Sequence, residues 1–166
     1  MVRTATGQVW AWGRNNNGQL GDGGTLSPKT TAQQVTALTG IAAIGAGGDH
    51  SLAVTTAGLL KAWGKNTQGQ LGDGTTTQRT SPVDVLSGVL AAAGGANHSL
   101  ALTTDGIVMA WGSNSFGQVG DWTLTQRLTP VPVPNLDGVL SIAAADFHSM
   151  VVLADGTLWG WGYNDY

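Results

Sequence analysis

The residues best able to do chemistry in this chain are three histidines and three aspartates that recur at matching positions. His50, His98 and His148 are spaced 48 and 50 residues apart, and Asp22, Asp73 and Asp121 are spaced 51 and 48. Three histidines suggest a metal site, because neutral imidazole is the commonest metal ligand. All three would then have to come within roughly 2.1 Å of one ion. Equivalent positions in successive repeats are related by rotation about an axis, which holds them apart. The expected role is therefore structural, with each histidine opening a strand and hydrogen-bonding the neighbouring unit. The aspartates invite an acid/base pair, but the same separation applies to them, and turn capping is the expectation. Asn15-Asn-Asn-Gly faintly resembles a calcium loop, yet it lacks the alternating carboxylates and the closing glutamate. The chain contains no glutamate at all. No Ser/His/Asp order, phosphate loop or dinucleotide fingerprint stands out, so no catalytic residue, cofactor or metal is expected.

What positions these residues is a repeated phrase, Trp-Gly-x-Asn-x-x-Gly-Gln-(Leu/Val)-Gly-Asp. It runs from Trp12 to Asp22, Trp63 to Asp73 and Trp111 to Asp121, and a fourth copy opens at Trp161. Each histidine lies 13 residues before the next tryptophan and nine after an apolar position, Ile41, Val89 or Val139. Length varies only between the motif aspartate and Leu38, Leu86 or Leu136, which takes 16, 13 and 15 residues. A fixed period of this size marks a repeat architecture. The whole of 1–166 reads as a single propeller segment with units at about 7–57, 58–105 and 106–156 and a partial unit at 157–166.

Within a unit, Gly7 to Gly13 reads as a strand carrying an always small residue (Ala11, Ala62, Ala110, Gly160) beside the constant tryptophan. A small residue there implies close approach by a neighbouring sheet. By alternation Lys61 shares the face of Trp63, placing that face near an edge where lysine reaches water. The Asn-to-Asp stretch is turn chemistry. Val35 to Leu38, Val83 to Leu86 and Val133 to Leu136 read as an outer edge strand, because Pro82 and Pro132 cannot donate to a ladder. Ile41 to Ala46 and its counterparts read as an inner, buried strand, and His50 to Thr55 as the next. Turns at Ala57-Gly58, Asp105-Gly106 and Asp155-Gly156 then lead into the following tryptophan strand. The fold class predicted is all-β, a propeller of four-stranded antiparallel blades whose ring is incomplete in one chain.

Composition narrows the partners. Only 10% of residues are charged, against roughly 25% in an average globular protein. Net charge is −3 and the seven basic residues form no cluster, which disfavours a nucleic-acid partner. No apolar run approaches the roughly 20 residues that cross a bilayer, and no signal-peptide core opens the chain. The absence of cysteine excludes disulfides and thiolate chemistry.

The phrase Gly7-Gln-Val-Trp-Ala-Trp-Gly-Arg-Asn with Gly18-Gln-Leu-Gly-Asp, continued as Ala93-Gly-Gly-Ala-Asn-His-Ser-Leu-Ala-Leu-Thr-Thr-Asp-Gly, resembles the regulator-of-chromosome-condensation repeat. The resemblance covers essentially the whole chain and implies a propeller usually of seven blades. It does not choose a function. Family members include a nucleotide-exchange factor for a small GTPase, ubiquitin-ligase-associated modules, an ultraviolet-B photoreceptor and secreted bacterial inhibitor-like proteins. The photoreceptor's Gly-Trp-Arg-His-Thr pattern is replaced here by Gly48-Asp-His-Ser, Ala96-Asn-His-Ser and Asp146-Phe-His-Ser. The exchange factor's expected wedge insertion and basic chromatin-binding surface are not found.

The most individual residues are Trp122, which stands where other copies have Gly23 and Gly74, and Phe116 and Phe147. Aromatics in such places serve as contact anchors or fold back over their own blade. The function read from the sequence is a non-enzymatic interaction scaffold with an unknown protein partner. Guanine-nucleotide exchange and a propeller hydrolase are the alternatives. Because the chain starts and stops within a repeat, it is either an excerpt of a longer propeller or a segment that completes its ring as a homodimer, and the homodimer is the expectation carried forward.

Overall fold

A computed structural model describes residues 1–165; Tyr166, the last residue of the expected partial unit 157–166, lies outside the described residues. The chain is all-β, with no helix among those residues and so none long and apolar enough to cross a membrane. Its strands are β1 (Val2–Arg3), β2 (Val9–Gly13), β3 (Lys29–Gln34), β4 (Ile41–Ala46), β5 (His50–Thr55), β6 (Leu60–Gly64) and β7 (Arg79–Leu86), followed by β8 (Val89–Gly94), β9 (His98–Thr103), β10 (Val108–Gly112), β11 (Arg127–Pro132), β12 (Val139–Ala144), β13 (His148–Leu153) and β14 (Leu158–Gly162).

They form four antiparallel sheets in the orders β1-β2-β3, β4-β5-β6-β7, β8-β9-β10-β11 and β12-β13-β14. Each full blade runs from an inner strand through the histidine and tryptophan strands to an outer strand. The repeat that begins at the tryptophan strand is thus offset from the blade that begins at Ile41 or Val89. The four sheets make an unclosed arc of two complete blades flanked by two three-stranded ones. Among the described residues, no outer strand pairs with β14 in the last sheet.

The invariant spacings are register constraints. His50 pairs with Gly64, His98 with Gly112 and His148 with Gly162, and the next four pairs match residue for residue in all three hairpins. One inserted residue would turn every following side chain to the opposite face. Each hairpin turns through a three-residue loop closed by the amide of Gly58, Gly106 or Gly156 on the carbonyl three residues earlier.

There is no single core. Three apolar clusters each straddle two sheets; the second joins Leu52, Val54, Leu60, Ala62 and Leu71 of one blade to Val89, Ala101 and Trp111 of the next. Cohesion is therefore between neighbours, as in other repeat proteins. The histidine strand is the most deeply buried, since β5 and β9 lie mid-sheet with blades on both faces.

Two strand expectations are corrected. The outer strands begin earlier, at Lys29, Arg79 and Arg127, and in the first and third units end before Val35 and Val133. Val35 gives its amide to the Val9 carbonyl and then enters a turn closed by Leu38. The polar stretch Lys29–Gln34 shows no apolar alternation because it is an exposed edge, and its ladder partner β2 supplies the order. The inner strands are only half-buried beyond Ile41, Val89 and Val139. Their Ala and Gly content answers to crowding: a Cβ on Gly45 would stand 2.5 Å from the Ala92 carbonyl oxygen of the adjacent inner strand.

Candidate functional site

After each tryptophan strand the chain must fold a loop whose backbone groups have no ladder, and buried side chains satisfy them. Asn66, with no exposed surface, accepts from the Leu71 amide at 3.0 Å and donates to Asp73 Oδ1 at 3.0 Å, Thr75 O at 3.0 Å and Thr77 O at 3.1 Å. Asp73 in turn accepts from the Thr75 amide and hydroxyl and from Arg79 Nε at 2.8 Å. Asn114, Asp121 and Arg127 repeat this arrangement, and Asn15, Asp22 and Lys29 make a looser version. Burial pushes the carboxyls of Asp73 and Asp121 up, but hydrogen bonds from Thr75 and Arg79, and from Thr123 and Arg127, hold both below the usual carboxylate value. Asp22 is likewise held below it, against burial, by bonds from Asn15, Gly24 and Lys29. Each aspartate stays within its own loop, and no two come together.

The loop also meets the next blade. The Gln70 carbonyl accepts from Ser99 Oγ at 2.8 Å and from Trp111 Nε1 at 2.9 Å. Gln19 receives Ser51 and Trp63, and Gln118 receives Ser149 and Trp161, in the same way. The glutamine is a hub that the sequence reading passed over; its signal was a buried-type polar residue at one fixed place in every copy. Above Trp111 lies Gly72, at φ 78°, where a Cβ would stand 2.7 Å from Nε1. Only glycine fits both the conformation and the contact.

The histidines complete each seam. His50 Nε2 meets Ser99 Oγ at 2.8 Å and His98 Nε2 meets Ser149 Oγ at 3.0 Å. Because the serine hydroxyl donates to the glutamine carbonyl, the histidine must donate to the serine, which fixes the Nε2–H tautomer. Nδ1 of both rings is buried without a hydrogen-bond partner. Burial, with smaller contributions from His98 and Lys65, depresses His50 to about 3. Burial and then His148 depress His98 to about 4. The three rings are spread one per blade rather than gathered, and His148, in the last sheet, is half-buried. Trp63 and Trp111 are fully buried, Trp161 is partly buried and Trp12 is 45% exposed. Lys61, on the Trp63 face, pairs with Asp84 of the outer strand.

Of the contact candidates, the fold brings together Phe116 and Phe147, with ring centroids 5.5 Å apart, edge to face. Tyr163, which the sequence reading did not single out, joins them at 4.8 Å from Phe116 and 6.3 Å from Phe147. With Asp146, His148 and Trp161 they border an open groove of about 1090 Å³ along the last sheet. Trp122 is 79% exposed, so it does not fold back over its own blade, and it holds a left-handed φ of 61°.

The profile of the "Regulator of chromosome condensation (RCC1) repeat" matches residues 6–54, 58–102 and 105–152, and a second profile of the same repeat matches 41–70, 89–118 and 139–166. The chain is 40% identical over 87 residues to the human "Probable E3 ubiquitin-protein ligase HERC3", covering 51% of this chain and 8% of that protein. It is 43% identical over 84 residues to the "Ultraviolet-B receptor UVR8" of Arabidopsis thaliana, covering 49% and 19%. The crystal structure of Prp20p from Saccharomyces cerevisiae superposes with a TM-score of 0.82 at 27% identity, over 95% of this chain and 41% of that one. This chain thus spans a small part of these curated relatives and under half of the solved propeller.

Proposed function

This chain belongs to the regulator of chromosome condensation repeat family, and from that premise we propose that it is a non-enzymatic protein-binding propeller segment that completes its ring by pairing with a second copy. The observation that carries the reading is its two unmatched flanks. Trp63 and Trp111 are covered by a preceding blade, whereas Trp12 is 45% exposed. At the other end β14 pairs only with β13 among the described residues, and Leu158 is 66% and Trp159 52% exposed. Sheet edges meant for water carry charge or proline, and β3, β7 and β11 do so with Lys29, Arg79, Pro82, Arg127, Pro130 and Pro132. β14 reads Leu-Trp-Gly-Trp-Gly and carries neither.

A non-enzymatic role is supported by the motif aspartates, each engaged within its own loop. A protein partner is in keeping with the yeast relative Prp20p, which binds Gsp1p and histones. The test is zero-length carbodiimide cross-linking of a mixture of isotopically labelled and unlabelled chains. Intermolecular links joining the Met1 amine or Lys29 to Asp155 or Asp165 are expected. Links confined within single chains would overturn the pairing.

A further inference from the structure

We infer that the rim at the third seam, Phe116, Phe147 and Tyr163, is a docking site for an arginine- or lysine-bearing segment of another protein. The inference is carried by a comparison internal to the molecule. Each seam presents three side chains on one backbone frame. The amides of Asn17, Gln68 and Phe116 each donate to the side-chain oxygen of the glutamine two residues on, at 2.8–2.9 Å. The amides of Lys65, Ser113 and Tyr163 donate to the carbonyls of Asp49, Asn97 and Phe147 at 2.9–3.0 Å. The first seam therefore displays Asn17, Asp49 and Lys65, the second Gln68, Asn97 and Ser113, and the third three aromatic rings.

The polar versions satisfy the same frame, so folding does not require aromatics there. In the first two seams Asp49 and Asn97 also accept a hydrogen bond from the glutamine side chain, a place that Phe147 takes in the third. The rings stay accessible, with Phe116 46% and Phe147 40% exposed. Aromatic ring faces carry negative potential that attracts cations. The surroundings reinforce it. Residues 128–166 contain Asp137, Asp146, Asp155 and Asp165 and no lysine or arginine. Asp146 borders the groove beside the rings, and Asp165 accepts from the Tyr163 hydroxyl at 3.3 Å. A guanidinium or ammonium can stack on a ring and reach a carboxylate together, which a neutral apolar segment cannot.

The test uses the full chain and a fluorescein-labelled pentapeptide with arginine at its second and fourth positions, read by fluorescence anisotropy at low salt. Replacing the arginines by glutamate should abolish binding. Replacing Phe116→Gln with Phe147→Asn, the neutral residues of the second seam, should weaken it roughly tenfold or more. Should that pair fail to fold by circular dichroism, Phe116→Asn with Phe147→Asn replaces it. The inference is overturned by no binding of the arginine peptide, by equal binding of the glutamate peptide, or by full binding to a folded double variant.

Discussion

His50 Nε2 lies 2.8 Å from Ser99 Oγ, and that hydroxyl gives its proton to the Gln70 carbonyl, so a histidine of one blade and a serine of the next share a directed chain of hydrogen bonds. The chain fixes a proton on Nε2, and the buried Nδ1, which has no hydrogen-bond partner, gives a second proton nowhere to go, so the imidazole stays neutral. Folded His50 takes up a proton only near 3 and His98 only near 4, whereas both do so near 6.5 when unfolded. Between these values the unfolded state binds more protons, so stability is complete above about pH 6.5 and falls as pH drops. The loss should approach about 1.4 kcal/mol per pH unit for each histidine. Urea midpoints between pH 7 and about pH 5 check it, a window above the one in which unfolded carboxylates at Asp22, Asp73, Asp121 and Asp155 begin to take up protons. His98→Gln should flatten the slope.

Tryptophan substitutions should sort by seam. Trp63→Ala and Trp111→Ala each remove a fully buried indole bonded to a glutamine carbonyl and should cost about 3–5 kcal/mol. Trp12→Ala, at a seam uncovered within a single chain, should cost about 1 kcal/mol at concentrations too low for pairing. Chemical denaturation of the three variants distinguishes them, and equal losses would contradict the seam account.

The loop network should outweigh the surface ion pairs. Asn66→Asp sets a second carboxylate beside Asp73 and against two carbonyls, and should cost about 3 kcal/mol or more. Arg14→Ala breaks a pair with Asp49 in which the Arg14 side chain is 63% exposed, and should change stability by under about 1 kcal/mol. Thermal melts of the two variants side by side check the ordering.

Trp122 stands at φ 61° where its counterparts Gly23 and Gly74 stand at 82° and 77°. Trp122→Gly relieves the left-handed strain and loses little packing, while the glycine adds freedom to the unfolded chain. A net gain of about 0.5–1 kcal/mol is expected. If the exposed indole is a contact anchor, the same variant should capture less partner, which a pull-down with matched protein amounts would read. A loss of stability would show that the indole packs.

Much of the fold was legible because register is written as spacing. The offset of 13 residues between His50 and Trp63 is a hairpin pairing, and it survives in every copy. The outer strand was misplaced because Lys29–Gln34 is an edge, and an edge with both faces wet carries no apolar alternation. The buried reading of Ile41–Ala46 failed because small residues serve close approach as well as burial. Phe116 and Phe147 could be singled out from the repeat, and the hairpin register sets Tyr163 opposite Phe147, but the approach of Phe116 to both depends on how successive blades stack and has no signature in spacing.

Sedimentation velocity of the full chain across a micromolar range tests the proposed pairing most directly. The account predicts a concentration-dependent species of twice 16.9 kDa, lost when Leu158→Lys and Trp159→Lys place charge on the open edge of β14. A folded species that stays at 16.9 kDa at every concentration would contradict it.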